Sequence, residues 1–320
     1  MKAMFLAAGF GTRLRPLTFL LPKPMIPLLN RPLIGWIVEH AMTAGVREVI
    51  VNLHHFPEAI ESYLPAAFPE VSFTFAHEAT LLGTGGGVRN VRALLDGDED
   101  FFLANGDTLQ RPPFAELREA RRASDALAAL TLRHPPPGDS YTAVWLDTGR
   151  ITGFGTGRGE ALMFSGSHCI SSRLFDLLPD RAVSELVSDV YLPSVARGSE
   201  SLAGVLMDDP FWFDIGTPQR YLTATHSLLG AESRVAETAH VTGSLTRSVV
   251  GARSVVRGAL QDSVVWEDCR IEPGVSLLNC IVGHGVELPS GHYSNVMISR
   301  DDPAIPPLYV RERGSVVNPF

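Results

Sequence analysis

The sequence predicts an α/β chain: a Rossmann-like, mostly parallel sheet followed by a short left-handed parallel β-helix. Three observations carry this. Up to Leu132, short apolar β-rich runs alternate with amphipathic segments, the order that sets strands in parallel with helices on both faces. After Pro135, Pro136 and Pro137, strand-like runs follow one another with little helix between them. From Ala231, aliphatic residues recur six positions apart, the spacing of a solenoid whose flat sides each take one inward aliphatic.

Taken in order, residues 2–8 read as a buried strand. Pro32 opens a helix with Leu33, Ile34, Ile37, Val38, Ala41 and Met42 at helical spacing, and Gly45 ends it. Strands at 46–53 and 71–77 flank a helix at 57–64. Residues 83–87 lead into a helix ending near Leu95; 101–104 form an apolar strand, 113–122 a helix and 126–132 a strand. Runs at 141–147, 150–154 and 162–170 read as an inserted antiparallel section carrying part of a second ligand subsite. Helices near 185–197 and 218–229 bracket VLMDDPFWFDIGTP. The six-residue pairs are Val235/Val241, Val250/Val256, Val265/Ile271/Leu277 and Val282/Leu288, about four coils, few enough to need a partner surface or a cap. The division expected is 1–230 for a ligand-binding domain, 231–300 for the β-helix and 301–320 for a tail. That tail holds four prolines and reads as loop packed on a neighbour.

Composition narrows the function. With 320 residues and 45% hydrophobic content the chain can bury a sizeable core, and 19% charged residues exclude a disordered or coiled-coil chain. A net charge of −8 argues against a general grip on nucleic acid. Cys169, Cys269 and Cys280 are odd in number and lack CxxC spacing, which points away from zinc or disulfides and toward a reducing cytoplasm. The apolar run in MKAMFLAAGF is short and is followed by Arg13 and Arg15, so it does not read as a signal peptide. No run of about 18 apolar residues exists to span a membrane.

The candidate chemistry starts in FLAAGFGTRLRPLT. Glycine at a strand exit permits a sharp turn and a close approach to a ligand, and Gly9 and Gly11 leave N–H groups suited to anionic oxygens. Arg13 adds a bidentate donor for phosphate; a plain turn with solvated arginines is the alternative. Leu14 stands where G-x-G-x-x-G requires glycine, and no GK[ST] follows, so neither a dinucleotide oxidoreductase nor a P-loop ATPase fits. Lys23 sits between Pro22 and Pro24, which restrict its direction, and near phosphate it supplies a compact positive charge. Asp107 ends FFLANGD at the binding edge of the sheet and suits Mg²⁺ beside a triphosphate. Asp214 in WFDIGTP is a second carboxylate candidate, with Thr217 better placed than it to cap the helix at Pro218. LLGTGGG, residues 81–87, lets a planar base lie on the backbone or simply turns tightly. Asp208 and Asp209 read as structural, His54 and His55 as loop histidines, His284 as a surface loop residue, and Trp212 as either core or a sugar platform.

Together, G-x-G-T-R-L-x-P-L-T, P-K-P-M-x-P, L-G-T-G-G, N-G-D and W-x-D-x-G-T-P, in this order, resemble the sugar-nucleotide pyrophosphorylases. The resemblance covers about residues 1–230, and is strongest to the mannose-1-phosphate guanylyltransferase-like and N-acetylmuramate-1-phosphate uridylyltransferase-like branches; hexapeptide tails are common there too. It implies a nucleoside triphosphate and a sugar 1-phosphate as substrates, Mg²⁺ as cofactor, homo-oligomers through the β-helix and a supply role in cell-envelope polysaccharide synthesis. It implies that Gly11, Thr12 and Arg13 hold the triphosphate and that Lys23 contacts the α-phosphate. Leu6, Ala8, Gly9, Glu78 and Gly83 surround the base, and Asn105 touches the sugar phosphate. Gly166 in FSGSH and Glu160 lie along the sugar, and Asp107 and Asp214 hold the metal. Many members carry an E-K-P motif whose lysine contacts the sugar phosphate. Here the region reads GRGEALMFSG without it, as in the uridylyltransferase-like branch. A non-catalytic sugar-nucleotide sensor and an acyl-transferring β-helix are the rival readings.

Overall fold

A computed structural model describes the chain except for Asp96, Asp98, Asp139 and Asp208, so the reading of Asp208 lies outside the described residues. Packing divides the chain into two compact units that do not follow chain order. One is Met1–Gly9 with Ile34–Trp212, the other Phe10–Leu33 with Phe213–Phe320.

The first unit is built on nine strands: β1 Lys2–Leu6, β2 Glu48–Leu53, β3 Ser72–His77, β4 Asp100–Asn105, β5 Ala128–Arg133, β6 Val144–Asp147, β7 Arg150–Phe154, β8 Glu160–Ser171 and β9 Leu202–Leu206. They stand in the order β3-β2-β1-β4-β8-β5-β9-β7-β6. The four strands from β3 to β4 pair in parallel, as expected for runs separated by the helices α1 Leu33–Thr43, α2 Pro57–Ala67, α3 Gly83–Asn90 and α4 Arg92–Leu95. Beyond β4 the sheet is mixed. β7 turns back on β6 in a hairpin, and β8 keeps the direction of β7, so it pairs antiparallel with β6 and lies antiparallel between β4 and β5. β9 returns to parallel pairing beside β5 after α6 Leu192–Arg197, while α5 Phe114–Ala123 joins β4 to β5. The core is the inward face of these elements, with Met4, Phe101, Leu103, Leu130, Ile170 and Leu202 all buried. Buried in that neighbourhood, the Cys169 thiol is pushed up to about 12, mainly by desolvation.

Two expected elements differ. The helix expected to end near Leu95 is two, α3 and α4, and the glycines of LLGTGGG form the first turns of α3 rather than a loop before it. The helix expected over 185–197 is a π turn, Val187–Tyr191, running into α6.

The second unit contains α7 Pro218–Leu229 and the β-helix. Val235, Val250, Val265, Val282 and Ile298 stack on one face. Val241, Val256, Ile271 and Leu288 stack on the second, and Leu245, Leu260, Leu277 and Tyr293 on the third. The six-residue step holds along one side throughout. Only four residues separate Val241 from Leu245 and Val256 from Leu260, which is why a hexapeptide reading passes over those two leucines. Small residues ladder at the corners: the backbone N–H groups of Ser248, Ser263 and Cys280 donate to the hydroxyls of Ser233, Ser248 and Ser263 at 3.0–3.1 Å. Cys269 likewise donates its N–H to Ser254 at 3.0 Å. Cys269 and Cys280 are thus corner residues, and all three cysteines are buried and unbridged. The tail is not wholly loop. Ser315–Pro319 pairs antiparallel with Val296–Arg300 and covers the last coil with buried Val316 and Val317.

Candidate active site

The opening loop, Phe10–Leu33, packs with the β-helix. Asn30 donates its side-chain amide to the Val250 carbonyl at 2.9 Å. The Phe19 and Tyr309 rings meet edge-on at 5.6 Å, and Leu17 fills the space beside Gly283. The Tyr221 hydroxyl, on α7, donates to the Pro27 carbonyl and accepts from the Trp266 indole at 3.1 Å. A loop of this length without long secondary structure would be mobile alone; here its shape is imposed by a solenoid more than 200 residues downstream in sequence.

Within this unit the fold gathers four residues singled out from the sequence. Gly11 has φ +61, and a Cβ there would lie 2.9 Å from Lys23 Cβ and 3.1 Å from Thr18 Cγ2, so only glycine lets these strands of loop close. Thr18 seals the closure with a hydroxyl bond to the Gly11 carbonyl at 2.9 Å. Lys23 is 6% exposed, and its Nζ lies 3.9 Å from Asp214 Oδ1. Pro22 is extended as expected, but Lys23–Met25 makes a 3₁₀ turn that tucks the lysine stem under Gly11. The Arg13 guanidinium lies over Gly216, where a Cβ would stand 2.8–3.0 Å from it. Thr217 caps α7 by accepting from the Arg220 N–H at 3.3 Å, which leaves the Asp214 carboxylate to pair with Lys23 and the Arg220 guanidinium. Thr12 is exposed in the 3₁₀ turn Thr12–Leu14. Arg15 lies over the Phe19 ring at 4.6 Å, a bracing role.

In the first unit, Leu6, Ala8 and Gly9 end β1 and continue it. Gly9 is exposed, with nothing within 4 Å of where a Cβ would be, so its backbone is approachable. A buried polar chain links this exit to the second glycine segment. The Ala7 N–H donates to Asn52 at 2.8 Å, the Asn52 amide donates to Glu78 Oε1 at 2.8 Å, and the Leu82 N–H donates to Glu78 Oε2 at 3.0 Å. Glu78 is 5% exposed and both of its oxygens serve this chain, so it braces the exit of β1 against the second glycine segment. Gly87 is small because Glu78 Oε1 and the Asn52 amide lie 3.1 and 3.3 Å from where a Cβ would be. The His54 ring bonds to the Glu78 carbonyl at 2.7 Å, a loop role as expected.

Gly83 has φ +72, and a Cβ there would meet the Ser184 carbonyl at 2.5 Å. The N-terminus of α3 is already used by its own chain. Thr84 donates its N–H to Glu185 at 3.1 Å, and Gly85 and Gly86 donate theirs to the Ser184 carbonyl at 2.8 and 3.1 Å. Three of the first four N–H groups of this helix therefore have partners, and it is not an open anion site.

Asn105 and Gly166 meet. β8 bulges between Phe164 and His168, Gly166 takes φ +100, and a Cβ there would stand 2.7 Å from the Asn105 amide. Asp107 is half-buried in the turn that follows β4. Glu160 is not brought to this pair: it starts β8, about 20 Å along an extended strand from Gly166, and is held by His134 at 2.8 Å. Trp212 is core, 8% exposed, donating to the Ser165 carbonyl at 3.0 Å. Asp209 is structural, its carboxylate accepting from the Phe211 N–H at 2.8 Å.

Asp214 fits a magnesium ligand: it is a partly exposed carboxylate, and Mg²⁺ commonly takes one or two carboxylates with the rest of its shell from phosphate and water. A three-residue cluster of ligating side chains among the described residues is Glu267, Asp268 and His284 in the β-helix, where Arg253 already pairs with both carboxylates at 2.7 Å. Residues that sequence reasoning missed are Asn52, Ser184, Glu185, Gly216 and Tyr221. A lone Asn in the apolar run VIVNL was a usable signal; the others act through contacts distant in sequence.

A glycine loop with a buried lysine and a paired carboxylate is chemistry suited to anionic ligands such as phosphate. The sequence matches the nucleotidyl transferase family over residues 2–230, and the chain belongs to that family: it is a nucleotidyltransferase. It is 30% identical over 307 residues to the probable mannose-1-phosphate guanylyltransferase 2 of Oryza sativa subsp. japonica, covering 90% of this chain and 82% of that one. It is 29% identical over 305 residues to mannose-1-phosphate guanylyltransferase 1 of Arabidopsis thaliana, with the same coverage. The fold is shared with HddC from Yersinia pseudotuberculosis, solved with GMP-PN, at TM-score 0.59 and 21% identity over 71% of this chain and 99% of that one. No helix among the described residues is long and apolar enough to cross a membrane.

Proposed function

We propose that the chain joins a nucleoside triphosphate to a sugar 1-phosphate, releasing pyrophosphate, with GTP and mannose 1-phosphate as the favoured pair. One observation carries the reaction: Arg13, Lys23 and Asp214 are gathered beside Gly11, whose φ of +61 and contact with the Lys23 Cβ require glycine, with the Arg13 guanidinium lying over Gly216. Lys23, 6% exposed and 3.9 Å from Asp214 Oδ1, is a fixed cation beside a carboxylate, an arrangement that suits a metal-bound phosphate. The saturated N-terminus of α3 supports the division of labour, leaving phosphate to the opening loop and the base to the second glycine segment. The substrate pair rests on the activities for which the rice and Arabidopsis relatives are named.

In this reading a sugar-phosphate oxygen attacks the α-phosphorus in line, and the bond to the bridging oxygen of the leaving pyrophosphate breaks. Catalysis is positioning and charge neutralisation. The N–H groups of Gly11 and Thr12 hold the triphosphate, Lys23 meets the α-phosphate and Arg13 the departing pyrophosphate. Leu6, Ala8, Gly9 and Gly83 surround the base while Glu78 fixes their spacing. Asn105, set against Gly166, receives the sugar phosphate. Asp107 and Asp214 would hold Mg²⁺, which when bound offsets the repulsion between the two phosphates. The buried thiols agree with a cytoplasmic setting, and the β-helix offers a surface for homo-oligomers supplying polysaccharide synthesis.

The test incubates purified protein with Mg²⁺, each of four nucleoside triphosphates and a panel of sugar 1-phosphates, reading pyrophosphate release. The expected best pair is GTP with mannose 1-phosphate, and EDTA abolishes the signal. Preference for UTP would favour the uridylyltransferase reading that the missing E-K-P lysine suggests. Release with no pair sinks the catalytic reading and favours the sensor.

A further inference from the structure

The glycines of LLGTGGG are shaped by the chain itself. A Cβ at Gly83 would stand 2.5 Å from the Ser184 carbonyl and 2.6 Å from Glu185 Oε1; one at Gly85, 2.7 Å from Ser184 Oγ; one at Gly86, 2.2 Å from the Ala182 carbonyl. The segment 179–189 is therefore a strap laid across the first turns of α3. One of its attachments is a carboxylate that binds the helix start twice. Glu185 Oε2 accepts both the Thr84 N–H at 3.1 Å and the Thr84 hydroxyl at 2.7 Å, and that hydroxyl accepts from the Leu186 N–H at 2.9 Å. The strap is anchored from both ends. Arg89 donates to the Pro179 and Arg181 carbonyls at 2.6 and 3.1 Å, and the Glu185 N–H donates to Asp189, which Arg181 pairs at 2.7 Å.

We propose that Glu185 is a positioning residue for nucleotide binding, acting through Thr84 to hold the base-side loop in its bound shape. This rests on the reading that the second glycine segment receives the base. Glycine-rich backbone is costly to order, and each glycine fixed in advance is ordering that the nucleotide need not supply on binding. A carboxylate at the second N–H of a helix also gains from the partial positive charge there. The strap does not lie among the residues assigned to sugar phosphate, so its effect falls on one substrate. Loss of Glu185 weakens the nucleotide and spares both the sugar phosphate and the chemical step.

The experiment compares wild type, Glu185→Ala, Glu185→Gln and Thr84→Val by steady-state kinetics, using the nucleoside triphosphate and sugar 1-phosphate the wild type turns over best, with calorimetric titration of that nucleotide alongside. Glu185→Ala is expected to raise KM and Kd for the nucleotide about tenfold, with kcat within about threefold and the sugar 1-phosphate KM within about twofold. Glu185→Gln keeps an oxygen that accepts both Thr84 bonds and restores most of the affinity. Thr84→Val reproduces part of the loss, and serves if Glu185→Ala does not fold. A nucleotide KM within twofold of wild type in Glu185→Ala or, failing that, in Thr84→Val, or equal rises in both KM values, overturns the positioning role while leaving the reaction intact. An inactive wild type that also fails to bind any nucleotide overturns both the reaction and this inference.

Discussion

The molecule has two glycine-rich segments, and they are held in shape by unlike means. The opening loop, with Gly11, Arg13 and Lys23, is anchored to the β-helix and α7 through Asn30, Leu17, Phe19 and the Tyr221 hydroxyl. The second segment, Gly83 to Gly87, is bound by a short strap and one carboxylate. The first gathers two cations and a carboxylate beside Gly11. The second has the N–H groups of its helix start taken up by the strap. A glycine-rich helix start is not by itself an open anion site: here three of its first four N–H groups are already used by the chain.

The sharpest way to break this contrast is to remove charge from the first loop. Lys23→Met, which keeps the stem under Gly11, and Asp107→Asn should each lower kcat about 10²- to 10³-fold, with circular dichroism unchanged. Turnover near wild type in either would end the assignment. Next, Gly86→Ala drives a Cβ to 2.2 Å from a backbone carbonyl and should lower stability by about 1–3 kcal/mol, measured by urea unfolding. Gly9→Ala, with nothing within 4 Å, should stay within about 0.5 kcal/mol of wild type. A comparable loss at both positions would mean that the strap is not what demands glycine. Tyr221→Phe strands the Pro27 carbonyl and the Trp266 N–H, costing about 1–2 kcal/mol and lowering kcat more than it raises the nucleotide KM. The smallest effect is expected at Ser184, whose buried hydroxyl has no hydrogen-bond partner among the described residues. Ser184→Ala should leave both melting temperature and kinetics unchanged, marking its carbonyl as the group the strap uses.

The residues that the fold gathers at the opening loop are legible because they lie in local signals: glycines at a strand exit, a proline-bracketed lysine, a threonine placed to cap in place of Asp214. Asn105 and Gly166 are also readable as separate candidates, though not that the amide of one fills the space above the other. Motif resemblance puts Glu78 against the base, yet its environment assigns both oxygens to Asn52 and Leu82. It puts Glu160 along the sugar, yet strand geometry carries that residue to the far end of β8. Both shifts come from burial and strand length, which motif spacing does not encode.

The sequence by itself determined the parallel half of the sheet, the solenoid's first two faces and the residue types of the opening glycine loop. Each of these follows from periodicity, or from backbone limits imposed within a few residues. Tertiary structure decided the antiparallel placement of β8, the third solenoid face built on Leu245 and Leu260, the anchoring of the opening loop on the β-helix and the strap over α3. Those depend on contacts between residues from about 15 to more than 200 positions apart, where hydrogen-bond satisfaction and close packing act on groups that no local pattern relates.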